Sequence, residues 1–309
     1  MKLLITGSSG MVGTNLALAA QRAGHRVLGL DRRPNVWTDA IETMAIDLTT
    51  HRDRAIALAQ EFAPEVVVHL AAHPKVHALV LDPMRALDNI AATQTALEMA
   101  RACAAAMLLA SSREVYGNTW RAVTREIDVQ HQSASPYAAS KLASEAMLHA
   151  YHRCYEMRGL IVRLSNVYGR FDTDLDRMER VIPLFIERAR SGQPLTLYAA
   201  QKVLDPTYID DAIGALLTGC ERLAAGHIAL DTVHISSGNP CTLRALADTI
   251  LQYVERDVEI IEAPMQAGEI ERFVADLSHA QTVLSYQPRV SLQQGIRSAL
   301  EEMAVAQIL

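Results

Sequence analysis

Short apolar runs along the chain alternate with longer segments whose apolar residues recur at helical spacing. Strands buried on both faces, as parallel strands are, are predicted for the apolar runs at residues 3–6, 27–30, 66–70, 107–110 and 160–164. Helices are predicted between them, at residues 13–23, 53–62, 83–104 and 136–157. This alternation predicts an α/β fold, a Rossmann-like doubly wound parallel sheet with helices on both faces.

The alternation becomes irregular after about residue 166. In this second half, helices are predicted at 180–191, 210–223 and 243–254, and short strands at 195–198 and 234–236. We therefore expect a dinucleotide-binding Rossmann domain at residues 1–165. A small C-terminal α/β substrate-binding lobe would follow at residues 166–309, with segments that can interleave with the first domain.

Composition and charge exclude several classes of protein. The 309 residues are 50% hydrophobic and carry a formal net charge of −6, so no global positive field is available to bind nucleic acid or anionic lipid. The apolar start of the chain is interrupted at residues 6–10, which is too early for a signal peptide. No run of about 18 apolar residues could span a membrane. Without a signal peptide or a spanning helix, we expect a cytoplasmic protein. The four cysteines lack metal-ligand spacing, so we expect no metal site.

A glycine-rich turn follows the first predicted strand. Residues 6–13 read Thr-Gly-Ser-Ser-Gly-Met-Val-Gly and open a helix. Gly7 would permit the tight turn, Gly10 would let the backbone approach a pyrophosphate, and Gly13 would let helix and strand pack closely. Met11 and Val12 lie within the same turn. The alternative interpretation is an ordinary turn, because the glycine spacing is three and three rather than two and three.

An acidic residue ends the next apolar run. Asp31 lies 18 residues after Gly13, where a carboxylate can accept from both ribose hydroxyls and would repel a 2′-phosphate. This position favours NAD over NADP, although Arg32 and Arg33 follow directly and weaken the choice. The other interpretation of Asp31 is a helix or turn cap. Asp47 and Leu48 end a third short run and could meet the adenine edge.

A phenol and an ammonium lie four residues apart in the predicted helix at 136–157. Tyr137 and Lys141 therefore project from one helix face, about one turn apart. A neighbouring positive charge favours the phenolate, so the lysine could lower the phenol's pKa and create a base near neutral pH. The alternative is a surface tyrosine beside a solvated lysine.

Several motifs in this order closely resemble the extended short-chain dehydrogenase/reductase family, in its NAD-dependent nucleotide-sugar epimerase and dehydratase branch, with UDP-glucose 4-epimerase as the type. The resemblance covers nearly the whole chain. It rests on the following segments, besides Tyr137 with Lys141: 6–13, 69–72 (His-Leu-Ala-Ala), 89–93 (Asn-Ile-Ala-Ala-Thr), 111–117 (Ser-Ser-Arg-Glu-Val-Tyr-Gly), 163–169 (Arg-Leu-Ser-Asn-Val-Tyr-Gly) and 208–211 (Tyr-Ile-Asp-Asp).

The resemblance implies roles for individual residues. Ser112 would hydrogen-bond the reacting sugar hydroxyl, Tyr137 would exchange its proton, and Lys141 would hold the nicotinamide ribose. Asn166 would contact the substrate diphosphate, and Glu114 would lie at the sugar. The matching motifs also place four residues beside the cofactor: Leu70, Ala71, Ala72 and Asn89. By contrast, we interpret His69, Ser111, Tyr116 and Tyr168 as packing or structural residues and assign no role to His73.

Two departures from the family leave the substrate open. Many relatives carry phosphate-binding arginines where this chain has Leu204 and Gln266. A diphosphate would lose charge-assisted bidentate contacts there, for which Lys202 or Arg272 could compensate. The substrate could therefore be a sugar nucleotide or a compound without a nucleotide.

The favoured function is a 4-epimerase with NAD recycled in each turnover, acting on a small-molecule sugar nucleotide. A dehydratase is the first alternative, but Arg113 stands where 4,6-dehydratases carry an aspartate, and a guanidinium is a poor proton donor. A dehydrogenase of a non-nucleotide hydroxy compound and a catalytically silent dinucleotide sensor also remain open. The resemblance, with apolar residues on more than one face of the helices at 83–104 and 136–157, implies a homodimer built from these helices.

Overall fold

A computed structural model describes residues 1–119, 121–130, 132–172 and 180–306. The first half contains β1 (Lys2–Thr6), α1 (Met11–Arg22), β2 (Arg26–Asp31), β3 (Thr43–Ala45), α2 (Arg52–Phe62), β4 (Val66–His69), α3 (Val76–Leu81), α4 (Met84–Ala102), β5 (Ala106–Ser112), α5 (Pro136–Tyr155) and β6 (Gly159–Leu164). Two 3-10 turns lie between β5 and α5, at Arg113–Tyr116 and Glu126–Asp128.

The second half consists of shorter elements. They are β7 (Asn166–Tyr168), α6 (Val181–Ser191), β8 (Leu195–Tyr198), β9 (Val203–Leu204), β10 (Pro206–Tyr208), α7 (Ile209–Ala224), β11 (Leu230–Ile235), β12 (Cys241–Thr242), α8 (Leu243–Val254), β13 (Ile260–Ala263), α9 (Ser278–Leu284) and α10 (Leu292–Ala306). Within the described ranges, no helix is long and apolar enough to cross a membrane.

The central sheet has seven strands in the order β11-β6-β5-β4-β1-β2-β3. Every neighbouring pair is parallel. The strand order reverses between β1 and β4, which is the switch point of a doubly wound fold. The predicted α/β class is therefore confirmed, and the five predicted strands of the first half are displaced by at most two residues at either end.

Both faces of the sheet are buried, as the unbroken apolar runs predicted. In β1, Leu3 and Ile5 point into one core, whereas Leu4 points into the core on the opposite face. Successive side chains of a strand alternate between faces, so a strand covered by helices on both sides must be apolar throughout. The polar site residues therefore lie at the carboxyl edge of the sheet, outside these two cores.

The second half contributes to the main sheet as well as to its own layer. Strand β11 pairs with β6 in parallel, and its buried residues share one core with β1 and β5. Smaller pairs, β10-β7, β12-β9 and β13-β8, build the rest of this region. The two halves of the chain therefore interleave, while the domain boundary at residue 165 remains a prediction.

Candidate active site

A cavity of about 950 Å³ lies along the carboxyl edge of the sheet. It begins at the loop after β1 and ends in the second half, at Lys202 and Glu269. Open α/β sheets bind ligands in this crevice, at the switch point of the strand order. Every candidate site residue from the sequence lines this cavity: Gly7, Gly10, Met11, Val12, Gly13, Asp31, Asp47, Leu48, Leu70, Ala71, Ala72, Asn89, Ser112, Glu114, Tyr137, Lys141 and Asn166.

The glycines at the first end of the cavity are required by close packing. Gly7 has a φ of +73°, and a Cβ there would lie 2.7 Å from the Ala71 amide nitrogen. A Cβ on Gly13 would lie 2.2 Å from the Gly7 carbonyl oxygen. Gly10 is the N-cap of α1, and a Cβ there would meet only that carbonyl, at 3.3 Å. The first N–H groups of α1 lie outside its hydrogen-bond ladder, so this end fits a dinucleotide phosphate.

Asp31 ends β2 on the cavity wall. Its carboxylate accepts the Ser9 N–H at 3.1 Å and the Arg33 N–H at 3.0 Å. The side chain therefore caps two loop amides, which was the alternative interpretation, and also lines the cavity beside the glycine-rich loop. Asp47 accepts from the backbone and hydroxyl of Thr49 on the same wall.

Tyr137 is held in the first turn of α5 by local sequence. Ser135 caps the helix by accepting the Ala138 N–H on its Oγ at 3.2 Å, and Pro136 supplies a φ suited to the first helical position. Tyr137 is only 7% exposed. The helix start, and with it the phenol, therefore has a fixed place on the cavity wall.

Ser112 and Lys141 flank this phenol. The Ser112 side chain, at the end of β5, interacts with the Tyr137 phenol. The Lys141 ammonium lies 5.9 Å from the centre of the tyrosine ring and donates to the Ala110 carbonyl at 2.9 Å. The structure thus brings together the three residues to which the resemblance gave catalytic roles.

The pKa values of this group follow from burial. Burial raises the pKa of Tyr137 to about 12, although the Ser112 side chain and the Arg180 and Arg113 charges act to lower it. Burial also lowers the pKa of Lys141 to about 8. The expected lowering of the phenol's pKa by Lys141 is not found in this geometry, because burial dominates and the ammonium is directed to a carbonyl.

Glu114 follows Ser112 in a 3-10 turn, where its N–H donates to the Ser112 Oγ at 3.2 Å. Its Oε1 pairs with the Arg113 guanidinium at 3.1 Å, and its buried Oε2 has no hydrogen-bond partner among the described residues. Burial raises the pKa of this carboxyl, although the Arg113 charge opposes the shift. Glu114 is therefore paired with Arg113, lines the cavity and keeps one carboxylate oxygen without a partner in the described structure.

Asn89 and Asn166 differ in the hydrogen-bonding groups that their side chains have free for a ligand. Asn89 bonds the Ser140 hydroxyl and both backbone polar groups of His73, so its side chain is used inside the protein. Asn166 has a buried Oδ1 without a partner in the described structure. Asn166, rather than Asn89, therefore has hydrogen-bonding capacity left for a ligand.

Leu204 and Gln266, which stand where the resemblance leads us to expect arginines, both line the cavity. Lys202 lines it too, but its ammonium is bonded at 3.0 Å to each carboxylate oxygen of Glu269. Arg272 is not part of the cavity wall and donates to the Ala122 carbonyl at 3.2 Å. Of the two suggested replacements, only Lys202 is in place, and it is already paired.

Lys75 and Arg180 are among the charged residues on the wall that were not found from the sequence. The side chain of Lys75, in the loop after β4, has no hydrogen bond or ion pair within the described ranges. Arg180 pairs with Asp172 at 2.9 Å and contacts the Met11 sulfur at 2.8 Å. The signal available for Lys75 was its position just beyond the carboxyl end of a parallel strand. The Arg180 contacts depend on distant parts of the chain and gave no local signal.

His69 and Ser111, two of the residues interpreted as structural, are buried and bonded to other side chains. His69 contacts the Thr6 hydroxyl at 2.8 Å and the Thr93 hydroxyl at 3.2 Å, and burial lowers its pKa to about 3. Ser111 donates to Glu145, which pairs with Arg163 at 2.6 Å. These contacts connect the strands β4, β5 and β6 to the neighbouring helices.

Tyr116 and Tyr168, the other two residues of that group, are also buried. Tyr116 bonds Arg163 and His234, and Tyr168 packs edge-on against Tyr208 with ring centres 5.6 Å apart. Among the described residues, no group of three or more His, Cys, Asp or Glu side chains is arranged to hold a metal ion.

Comparison with known proteins agrees with this geometry. The NAD dependent epimerase/dehydratase family matches residues 3–230. A UDP-glucose 4-epimerase of Mycolicibacterium smegmatis is 29% identical, over 97% of this chain and 98% of that protein. A probable UDP-glucuronate 4-epimerase of Rhizobium meliloti is 27% identical, over 97% and 96%. The crystal structure of Thermus thermophilus UDP-glucose 4-epimerase in complex with NAD superposes with a TM-score of 0.91 at 27% identity, covering 99% of this chain and 100% of that one.

Proposed function

The chain belongs to the NAD dependent epimerase/dehydratase family, and from this premise we propose that it is an NAD-dependent epimerase that inverts carbon 4 of a nucleotide-linked sugar. The observation that carries the proposal is the grouping of Ser112, Tyr137 and Lys141 on the wall of a cavity that begins at a glycine-rich loop. The full-length similarity to two 4-epimerases supports the same reaction.

The residues at the loop end of the cavity fit NAD. Gly10 leaves room for a pyrophosphate at the start of α1, and Asp31 lies where it would meet the adenosine ribose. When bound, NAD would supply a reversible hydride acceptor whose ring carries a positive charge. The Asp31 carboxylate would repel a 2′-phosphate, which is why NAD is preferred to NADP.

Tyr137, Ser112 and Lys141 would share the work around one proton: Tyr137 would transfer it, and the other two residues would hold the reactants in place. Tyr137 takes the proton of the sugar 4-hydroxyl and later returns it, and Ser112 holds that hydroxyl by a hydrogen bond. Lys141 holds the nicotinamide ribose. Because burial raises the pKa of Tyr137 to about 12 in the protein alone, the phenol stays protonated until further positive charge enters the cavity.

Lys75 is a candidate cation for the substrate diphosphate. Its side chain lines the cavity and has no ion pair among the described residues, whereas Lys202 is already bonded to Glu269. We therefore assign to Lys75 part of the charge that relatives place on the arginines missing here. A Lys75→Ala variant should raise the KM for a sugar nucleotide about tenfold or more and leave kcat nearly unchanged, because it removes binding common to substrate and transition state.

A dehydratase is the second candidate, since Glu114 presents an unpartnered carboxylate oxygen at the cavity. Elimination also needs an acid to protonate the leaving hydroxyl, and Arg113, which occupies that place, stays protonated at ordinary pH. Epimerisation requires no such acid. Mass spectrometry separates the two: an epimerase product has the mass of its substrate, whereas a dehydratase product has lost one water.

The test of the proposal is a Tyr137→Phe variant assayed on sugar nucleotides with NAD. Activity should fall by about 100-fold or more, because the proton carrier is lost while the ring that fills the site is kept. NAD binding should be retained. A variant that turns over at nearly the normal rate would remove Tyr137 from the catalytic set.

We also propose a homodimer, formed by α4 and α5 of each subunit and present in the cytoplasm. Leu81, at the end of α3, is 73% exposed, and Met84 and Leu87, at the start of α4, are 67% and 55% exposed. Helix α5 presents exposed alanines at 139, 146 and 150. Apolar surface of this kind is usually covered. Sedimentation should show a dimer, and Leu87→Glu should shift it toward monomer; a stable wild-type monomer at micromolar concentration contradicts the proposal.

A further inference from the structure

The end of the cavity beyond Ser112 is lined by charged side chains that are already paired. Glu114 is bonded to Arg113 at 3.1 Å, Asp172 to Arg180 at 2.9 Å and Glu269 to Lys202 at 3.0 Å. All six residues line the cavity, and each pair contains one positive and one negative charge. The charged groups around this end therefore balance.

Four buried polar atoms at the same end have no hydrogen-bond partner in the described structure. One is a donor, the Arg113 Nη1. Three are acceptors: Glu114 Oε2, Asp172 Oδ2 and Asn166 Oδ1. Arg113, Glu114 and Asp172 are at most 9% exposed, so water cannot easily satisfy these atoms. Buried polar atoms without partners are costly, which indicates that a ligand supplies the missing hydrogen bonds.

The balance of acceptors and donor identifies the kind of group that fits. A hydroxyl can donate to an acceptor and accept from a donor, so a neutral sugar can serve all four atoms. A sugar carboxylate can only accept, and among these four atoms only the Arg113 Nη1 can donate to it. It would leave the Glu114 oxygen unsatisfied and place two anions on one guanidinium, which is unfavourable in a buried site.

On the basis of the proposed function, we infer that the sugar bound here is a neutral hexose with a hydroxymethyl group at carbon 6, and that Glu114, held by Arg113, selects it against the corresponding uronic acid. The similarity to both a UDP-glucose and a UDP-glucuronate 4-epimerase leaves this choice open. The paired charges and the excess of acceptors in this chain decide it in favour of the neutral sugar.

The test measures the binding of UDP-glucose and UDP-glucuronate to the NAD-loaded protein by calorimetry, alongside epimerisation of both. The Kd for UDP-glucuronate should be at least about tenfold higher than that for UDP-glucose, the change expected from one unpaired buried acceptor. Glu114→Gln replaces the anion with a neutral group of the same shape and should reduce this ratio about tenfold. Glu302→Gln is the matched control, because Glu302 is a half-buried carboxylate outside the cavity wall.

Each outcome decides the inference. It is overturned if the wild-type protein binds UDP-glucuronate as tightly as UDP-glucose, if it binds neither, or if Glu114→Gln leaves the ratio unchanged. Preferential binding of UDP-glucose that is relaxed by Glu114→Gln but not by Glu302→Gln supports it. Should such binding occur without epimerisation, the proposed function fails while the assignment of the sugar class stands.

Discussion

Replacing Gly13 with alanine should separate α1 from the phosphate loop, weakening both the fold and NAD binding. The new Cβ would lie 2.2 Å from the Gly7 carbonyl oxygen and 2.8 Å from the Ser8 Cα. These are backbone atoms that cannot rotate away, so the helix and loop must move apart by about 1 Å to restore ordinary contact. Overpacking of this kind costs about 1–3 kcal/mol.

Alanine also has a higher helix propensity than glycine, which stabilises a helix by up to about 1 kcal/mol and partly offsets this steric cost. Gly214 measures this gain separately. It is an exposed residue within α7, and a Cβ there would have no neighbour within 4 Å. Gly214→Ala should therefore stabilise the protein by up to about 1 kcal/mol. The difference between the two variants isolates the steric cost at Gly13.

Urea unfolding monitored by circular dichroism gives the stability of each variant, and calorimetric titration with NAD gives its affinity for the cofactor. Gly13→Ala should lower the unfolding midpoint and weaken NAD binding about tenfold or more, because the α1 N–H groups move away from the loop. Gly214→Ala should leave NAD binding unchanged. If Gly13→Ala binds NAD and unfolds like the wild-type protein, the proposed reason for glycine at this position is wrong.

Three further outcomes are expected. Burial lowers the pKa of His69 to about 3, so between about pH 6.5 and pH 3 the unfolded chain binds a proton that the folded chain does not. The free energy of unfolding should therefore fall as the pH drops through this range. His69→Gln should reduce this pH dependence in urea titrations. Glu145→Ala should cost about 3–5 kcal/mol of stability by leaving Arg163 buried and unpaired; Asp248→Ala, which breaks an exposed i,i+4 pair, should cost no more than about 0.5 kcal/mol in the same assay. Asp31→Ala should weaken NAD binding and reduce the preference over NADP, so unchanged preference in cofactor titrations would contradict its proposed role.

Local patterns in the sequence were enough to predict the Rossmann-like sheet and most of the cavity wall. A strand covered on both faces must be apolar throughout, and β1, β4, β5 and β6 follow that rule within a few residues each. The phosphate loop, Asp31 and the Tyr137–Lys141 spacing are similarly local, because each lies within one turn or at the end of one strand. The second half was harder to predict, since two-residue strands such as β9 carry almost no periodic signal.

Tertiary structure alone decided how the charged groups are used. The sequence placed Lys141 beside Tyr137, but only the fold directs its ammonium to the Ala110 carbonyl and buries the phenol enough to raise its pKa. Lys202 was available as a phosphate ligand until the structure paired it with Glu269, 67 residues away. Burial and long-range pairing depend on which segments meet in three dimensions, and no periodicity along the chain records them.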